Sequence, residues 1–205
     1  MELLNFLDFI TEDKEPQKHH VLAFGRMNPP TTGHMQVIHK VHDVAKKNNA
    51  EHTVVTSHSQ DAKKNPLTPQ QKLKHLKRYS PETHFKAASS DKPTILHHAA
   101  EAHKKGVTHL HVVVGSDRKK EMHTLLHKYN GKEAGHGHYN FKKITVHSAG
   151  HRDPDAEGTS GVSGTKQREH AKTGNYAAFR KGVPDHVSHA HAKELMHDVQ
   201  HGSQK

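Results

Sequence analysis

The segment from Gly25 to His34 combines glycines, prolines and polar residues directly after a short apolar run. A glycine at a strand end lets a ligand approach the backbone closely, and Gly33 offers the same freedom where a helix would begin. The N-terminus of that helix presents unpaired N–H groups and partial positive charge, which favour a phosphate. His34 could then donate a hydrogen bond to a phosphate oxygen. The alternative is a purely structural loop shaped by the proline pair, with His34 as a surface residue.

Alternating strands and helices surround this segment. Short apolar runs predict strands at residues 20–25, 51–57, 110–114 and around 144–146. Apolar residues spaced by three and four predict helices that begin near residues 34, 68, 91 and 122. We expect a polar loop at residues 131–140, a long loop at residues 148–162, and three helical stretches at the end of the chain.

This alternation predicts an α/β fold, specifically a Rossmann-like parallel five-stranded sheet with helices on both faces and right-handed crossovers. In such sheets a ligand lies beyond the carboxyl ends of the strands, where the order of the chain reverses. Residues 25–34, 115–118 and 158–168 should therefore meet at one edge of the sheet, and each of these loops contains glycine and polar side chains.

Three motifs occur in order along this framework. Thr31-Thr32-Gly33-His34 follows the first strand and resembles the (H/T)-x-G-H signature of the cytidylyltransferase-like nucleotidyltransferases. Residues 112–118 are similar to the middle strand of that family, which ends in a nucleotide-contacting Gly-x-Asp segment. Residues 162–168 resemble its late I-S-[ST/GT]-x-x-R motif. The order and spacing of the motifs make the combination specific, and the resemblance covers roughly residues 20–182.

The resemblance implies attack by a phosphate oxygen of an acceptor on the α-phosphorus of a nucleoside triphosphate, with release of pyrophosphate and with Mg²⁺ carried by the nucleotide. It implies three catalytic residues, of which Thr31 and His34 would hold the phosphates and Arg168 would neutralise the leaving pyrophosphate. Ser163 and Thr165 would offer hydroxyl groups to the β- and γ-phosphates. The implied nucleotide-binding residues are Gly25, Arg26, Asn28, Gly33, Gly115, Asp117, Ser163, Gly164 and Thr165.

The motif at residues 162–168, called the late motif, also indicates which nucleotide base is used. Ser163-Gly164-Thr165-x-x-Arg168 looks closer to adenylyl members such as nicotinamide mononucleotide adenylyltransferase than to the longer R-T-x-G-[IV]-S-T-[ST] motif of cytidylyl members. The resemblance therefore favours ATP over CTP, with Gly115 and Asp117 beside the base or ribose. Nicotinamide mononucleotide is the best single guess for the phosphorylated acceptor.

Two positions depart from the most common family pattern. Thr31 stands where many members have histidine, and Val162 stands where isoleucine is usual. Lys63, Lys64 and Arg118 could contact phosphate, but on so basic a chain we interpret them as solvated charges outside the site.

Pairs of histidines raise the question of a metal site. His-x-His pairs begin at His109, His136 and His189, and imidazole pairs suit zinc or nickel. No third ligand stands at a recognisable spacing beside any of them. We therefore expect no dedicated metal site.

The amino-acid composition limits the kinds of protein and of binding partner to be considered. The 205 residues fit one domain, and the absence of cysteine excludes disulfide scaffolds, thiolate zinc sites and cysteine nucleophiles. The 31 Lys+Arg against 21 Asp+Glu give a net charge of +10, which makes DNA a further candidate partner through non-specific contacts. We interpret most of the 26 histidines as replacements for other polar residues on solvated faces. No apolar run approaches the roughly 20 residues of a membrane helix.

The first twelve residues suggest a second hypothesis. Residues 1–12 have apolar side chains at positions 3, 4, 6, 7, 9 and 10 and end in Ile10-Thr11-Glu12. This segment resembles the capsid-targeting leader and processing site of internal head proteins of T4-like bacteriophages. The rival function is a basic, DNA-associated internal virion protein that uses the transferase fold as a scaffold or as an injected enzyme. We therefore expect a leader at residues 1–18, a nucleotidyltransferase domain at 20–182 and a C-terminal helix and tail at 183–205. The expected location is the cytoplasm, that of the host for a phage protein, or the interior of the virion.

Overall fold

The computed structural model describes residues 16–150 and 162–204. Its strands are β1 (His19–Gly25), β2 (Glu51–Thr56), β3 (Phe85–Ala87), β4 (His109–Val114), β5 (Lys132–Ala134), β6 (Gly137–Tyr139) and β7 (Lys143–Ser148). Its α-helices are α1 (Thr32–Lys47), α2 (Pro69–Tyr79), α3 (Ile95–Lys104), α4 (Lys119–Tyr129), α5 (Gly164–Lys172), α6 (Tyr176–Arg180) and α7 (His189–Gly202). A short 3₁₀ turn spans Ser116–Arg118.

Five parallel strands form one sheet in the order β3-β2-β1-β4-β7, as the alternation predicts. Alternate residues of each strand enter two cores on opposite faces of the sheet. On β1, Val21 and Ala23 pack with α1, α2 and α7, whereas Leu22 packs with α3 and α4. The chain reverses its direction across the sheet between β1 and β4, so the carboxyl ends of these two strands flank the switch point.

Local signals explain several helix boundaries. Thr68 caps α2 by accepting a hydrogen bond from the Gln71 N–H at 3.1 Å, and the Gln71 side chain accepts from the Thr68 N–H at 2.9 Å. This reciprocal pair is a capping box, and it agrees with the helix start predicted near residue 68. Gly106 and Gly131 follow α3 and α4 with positive φ angles of 82° and 79°, the left-handed conformation in which glycine commonly ends a helix.

Three local predictions differ from the structure. Residues 131–140 form an antiparallel hairpin of β5 and β6 instead of a polar loop. The hairpin is held by Tyr139, which is buried and donates its hydroxyl hydrogen to the carbonyl oxygen of Leu126 at 2.8 Å. Strand β3 has only three residues and therefore no periodic pattern to detect. Helix α3 begins at Ile95 after the N-cap Thr94, not at Asp91.

The interpretation of most histidines as solvated replacements does not extend to a buried group of three. His75, His98 and His111 are buried, and burial lowers the pKa of each. His111 lies between two other imidazoles, with 2.9 Å between its Nε2 and the Nδ1 of His19 and 3.0 Å between its Nδ1 and the Nε2 of His147. The folded protein therefore gains less charge on mild acidification than the histidine count alone implies.

The C-terminal helix α7 joins the first core through Leu195, Met196 and Val199. On its other side, the carboxylate of Asp198 lies 2.8 Å from the Nε2 of the buried His75 on α2. The leader hypothesis, including the site after Glu12, lies outside the described residues, as does most of the loop predicted at 148–162. Within the described residues, no helix is long and apolar enough to cross a membrane.

Candidate active site

The three loops that the sequence predicts to converge line one cavity of about 630 Å³ at the carboxyl ends of β1 and β4. Eleven of the twelve site residues expected from the sequence lie in its wall, and Thr31 is the exception. The lining residues from that set are Gly25, Arg26, Asn28, Gly33, His34, Gly115, Asp117, Ser163, Gly164, Thr165 and Arg168.

His34 is oriented by the residue that caps its helix. The backbone N–H of Thr31 donates to the Nδ1 of His34 at 3.0 Å, and the Thr31 hydroxyl oxygen lies 2.9 Å from the same nitrogen. Because Nδ1 accepts the backbone hydrogen bond, the neutral imidazole carries its proton on Nε2. His34 lines the cavity, so this geometry gives the site a hydrogen-bond donor at Nε2.

Thr31 lies behind the imidazole of His34 and not in the cavity. Its side chain is fully buried, and its hydroxyl group also lies 3.5 Å from the carbonyl oxygen of Val162, at the start of the late motif. The buried position corrects the expectation that Thr31 holds phosphate directly. Its contacts instead favour a role in positioning His34.

Arg168 connects the first and the late motif. Its guanidinium donates to the carbonyl oxygen of Asn28 at 2.8 Å and to the hydroxyl oxygen of Thr165 at 3.0 Å. Burial and the neighbouring charge of Arg26 both lower the pKa of Arg168. The Asn28 side chain exchanges two 3.0 Å hydrogen bonds with the backbone of Leu67, which fixes the loop that carries this carbonyl.

The N-terminus of α5 opens toward the same cavity. Ser163 caps this helix by accepting a hydrogen bond from the Lys166 N–H at 3.1 Å, and its hydroxyl hydrogen can still be donated. A Cβ atom at Gly164 would lie 3.3 Å from the Arg168 guanidinium and 3.5 Å from the Asn28 carbonyl oxygen. The absence of a side chain at Gly164 therefore allows the helix terminus to approach the loop after β1.

The wall of the cavity is predominantly positive. Arg26, Lys64, Arg118 and Arg168 contribute guanidinium or ammonium groups. Asp117 is the one carboxylate among the described residues of the wall. With two helix N-termini beside these cations, the cavity is suited to a ligand that carries several negative charges.

Sequence comparison agrees with this geometry. The cytidylyltransferase-like family matches residues 22–170, a range that contains all three motifs. The chain belongs to the cytidylyltransferase-like family. This membership supports a nucleotidyltransferase activity and a nucleoside triphosphate substrate. No curated protein matches the sequence closely enough to narrow the activity further.

This cytidylyltransferase-like site also contains residues that sequence reasoning missed. Lys64 and Arg118 line the cavity, although the sequence analysis leaves them outside the site. Gln36 on α1 and Ala149 and Gly150 after β7 line it as well. The signal for the last two was their position at the carboxyl end of a parallel strand, which also defines the three loops that were predicted.

The donor set of the cavity is compatible with the Mg²⁺ that the family generally uses together with a nucleotide. The described residues contain no cluster of three or more His, Cys, Asp or Glu side chains suited to a metal ion. Mg²⁺ commonly keeps several waters and binds through one or two carboxylates and substrate phosphates. A cavity with the single carboxylate of Asp117 fits that mode better than a protein-only cage.

Proposed function

We propose that the protein transfers AMP from ATP to the phosphate group of a small acceptor and releases pyrophosphate. The observation that carries this proposal is the convergence of His34 and Arg168, from motifs far apart in the chain, on one basic cavity. Reactions of this kind depend on positioning and on charge stabilisation more than on proton transfer. The cavity offers both through its cations and its helix N-termini.

His34 would act at the transferring phosphoryl group. Its Nε2–H would donate to an oxygen of the α-phosphate, where negative charge must be accommodated as the acceptor oxygen attacks. The N-terminus of α1 would add its partial positive charge from the same side. Thr31 would keep the imidazole in the donating tautomer through its backbone N–H.

Arg168 and the N-terminus of α5 would hold the phosphates that leave. The guanidinium would neutralise the growing charge on the β-phosphate while its bond to the Asn28 carbonyl keeps it in place. The hydroxyl groups of Ser163 and Thr165 would donate to the β- and γ-phosphate oxygens. Lys64 and Arg118, which also line the cavity, would add further positive charge.

Magnesium would be bound mainly by the triphosphate, with Asp117 as the carboxylate able to ligate it. When bound, the ion neutralises phosphate charge and orients the triphosphate. An alternative position for Asp117 is beside the base or ribose together with Gly115. A Cβ atom at Gly115 would lie 2.6 Å from the Asp117 carboxylate, so the two residues form one compact turn.

The preference for adenine rests on the late motif, Ser163-Gly164-Thr165-x-x-Arg168, which looks like that of adenylyl members. Nicotinamide mononucleotide is the first acceptor to test, because its 5′-phosphate supplies the attacking oxygen. The acceptor must approach the α-phosphorus from the side opposite the leaving pyrophosphate.

The test uses the full chain with Mg²⁺, α-labelled ATP or CTP, and a panel of phosphorylated acceptors that includes nicotinamide mononucleotide. We expect pyrophosphate and a labelled dinucleotide with ATP. His34→Ala and Arg168→Ala should lower the rate at least about 100-fold, because each removes a charge-stabilising donor. His39→Ala, an exposed histidine on the same helix, is the matched control. Equal rates for His34→Ala and His39→Ala would refute the site, and faster transfer from CTP would refute the adenine preference.

A further inference from the structure

A second cavity of about 1000 Å³ lies beside the candidate active site. It is a groove between residues 62–64, helix α5 and the end of helix α7, and we call it the basic groove. It shares Lys64, Thr165 and Arg168 with the active-site cavity. A ligand in the basic groove therefore lies next to Arg168, at the border with the active-site cavity.

Hydrogen bonds and close packing hold the walls of the basic groove in place. The carboxylate of Asp61 accepts hydrogen bonds from the backbone N–H groups of Lys63 at 3.0 Å and Lys64 at 2.7 Å, which holds this loop in one shape. Gln200 on α7 donates from its side chain to the carbonyl oxygen of Ala171 on α5 at 2.7 Å. A Cβ atom at Gly202 would lie 2.0 Å from the carbonyl oxygen of Pro66, so α7 packs directly on the loop segment.

The positive charge of the basic groove comes from two of its walls, the loop and α5. Lys63 and Lys64 extend from the loop, and Arg168 and Lys172 extend from α5. Glu169 is the one carboxylate among the described lining residues. His197 and His201 on α7 are exposed and line the third wall. A rigid groove with cations on opposite walls is complementary to a chain of linked phosphates.

We propose that the basic groove binds linear polyphosphate, both the pyrophosphate that leaves the active site and longer inorganic chains. The proposal rests on the proposed function for its source of pyrophosphate. Arg168 would contact the leaving β-phosphate in the active site and then stay in contact as the product moves toward Lys63 and Lys172. The basic groove gives the product a path to solvent that does not cross the nucleoside.

Geometry separates this ligand from the phosphorylated acceptor. The basic groove adjoins Arg168 and Thr165, which the proposed function assigns to the leaving phosphates. An acceptor bound there would stand on the leaving-group side of the α-phosphorus, where in-line attack is impossible. The groove also differs from a typical single-stranded nucleic-acid site, because the described residues of its lining include no Phe, Tyr or Trp on which bases could stack.

The test measures tripolyphosphate binding by calorimetry on the full chain, without nucleotide. The variant Lys63→Gln/Lys172→Gln removes two cations that line the basic groove but not the active-site cavity. The control Lys46→Gln/Lys104→Gln removes the same charge from exposed helix ends. We expect the groove variant to weaken tripolyphosphate binding about fivefold or more, because it loses two cations that face the ligand. ATP binding should change less than about twofold, because the active-site wall is intact.

Pyrophosphate should also inhibit transfer less strongly in the groove variant than in the control. Equal tripolyphosphate affinities for the two double variants would overturn the proposal. A short DNA duplex that displaces tripolyphosphate, and that loses more affinity than tripolyphosphate in the groove variant, would also overturn it and assign the groove to nucleic acid. If the unaltered protein binds tripolyphosphate through Lys63 and Lys172 but does not bind ATP, the proposed function fails and the polyphosphate site is supported.

Discussion

The guanidinium of Arg168 donates a 2.8 Å hydrogen bond to the carbonyl oxygen of Asn28, which lies 140 positions earlier in the chain. This bond ties the first turn of α5 to the loop after β1. The acceptor belongs to the backbone, and the side chain of Asn28 holds that backbone in place through its two hydrogen bonds to Leu67. The same guanidinium faces the cavity, so one side chain both assembles the site and supplies charge to it.

Replacing Arg168 with lysine should separate geometry from charge. Lysine keeps the positive charge but cannot donate to Asn28 and Thr165 from a planar fork. We expect kcat/KM for ATP to fall about 10- to 100-fold, since a hydrogen bond from a charged group contributes about 1.5–3 kcal/mol. Steady-state pyrophosphate release measures this effect. A rate equal to that of the unaltered protein would show that charge alone is sufficient.

His34 can be replaced by two amides that imitate different ring nitrogens. Glutamine places an N–H donor near the position of Nε2, whereas asparagine retains only an acceptor near Nδ1, which accepts from Thr31. We expect His34→Asn to lower kcat about 100-fold and His34→Gln to retain more activity, because the phosphate-facing donor is the functional nitrogen. Single-turnover rates at saturating ATP are the measurement. The reverse order of the two variants would contradict the assignment of Nε2 as the donor.

Replacing Gly182 with alanine tests whether the C-terminal segment must pack closely against α5. A Cβ atom there would lie 2.3 Å from the side-chain nitrogen of Gln167, which is buried and donates to the carbonyl oxygen of Phe179. Gly182 also accepts a hydrogen bond from the Thr32 N–H at 2.9 Å. We expect Gly182→Ala to lower the free energy of unfolding by about 1–3 kcal/mol, the usual cost of overpacking.

The matched control for Gly182→Ala is Gly135→Ala. A Cβ atom at Gly135 would meet nothing within 4 Å, so this substitution should leave the free energy of unfolding nearly unchanged. Urea denaturation of the two variants in parallel gives the comparison. Equal stabilities would mean that the backbone moves to accept a side chain at position 182.

Much of the fold follows from the sequence because its strongest signals are local. The apolar runs of β1 and β4 are complete within six or seven residues, and the Thr68–Gln71 capping box is complete within four. Strand β3 and the hairpin of β5 and β6 are three residues long, so their pairing depends on tertiary contacts. Tyr139 on β6 is an example, because it is buried against α4 and donates its hydroxyl hydrogen to the carbonyl oxygen of Leu126 on that helix.

The site was predictable to the extent that motif order and strand ends define it. The place of Lys64 in the cavity wall was not predictable, because nothing in the neighbouring sequence distinguishes a lysine that faces a cavity from one that faces solvent. The position of Thr31 was not predictable either, because only the three-dimensional structure shows its hydroxyl group between His34 and Val162. Long-range contacts determine both, and a single sequence does not display them.

Acidification should destabilise the protein through its buried histidines. Burial, followed by the charges of His147 and His19, lowers the pKa of His111 to about 4 from the ordinary value of 6.5. Between these values the unfolded chain binds more protons than the folded one, so the free energy of unfolding falls as the pH falls from 6.5 toward 4. His111→Gln should flatten this slope by up to about 1.4 kcal/mol per pH unit. Urea denaturation at several pH values measures the slope.

The control for His111→Gln is His123→Gln, which alters an exposed histidine on α4. This change should leave the slope of the free energy of unfolding against pH unchanged. An equal slope in both variants would show that His111 is not a source of the acid sensitivity.

Lys72 should produce a pH dependence of the same sign at alkaline pH. It is fully buried on α2, and burial lowers its pKa to about 8 from 10.5. Its ammonium donates to the carbonyl oxygens of Ser57 and Ser59 and to the Ser57 hydroxyl oxygen, none of which is a counter-ion. Between pH 8 and 10.5 the unfolded chain therefore binds more protons at this position, and the free energy of unfolding rises with pH.

The comparison with Lys72→Met isolates this contribution from the other groups that titrate in the same range. Methionine has no titrating group. From pH 7.5 to pH 10, the free energy of unfolding of the unaltered protein should therefore rise by about 2 kcal/mol relative to that of the variant. Parallel urea denaturation at the two pH values provides the measurement. A difference that stays constant would mean that Lys72 keeps an ordinary pKa, and that the oxygens around it replace its hydration fully.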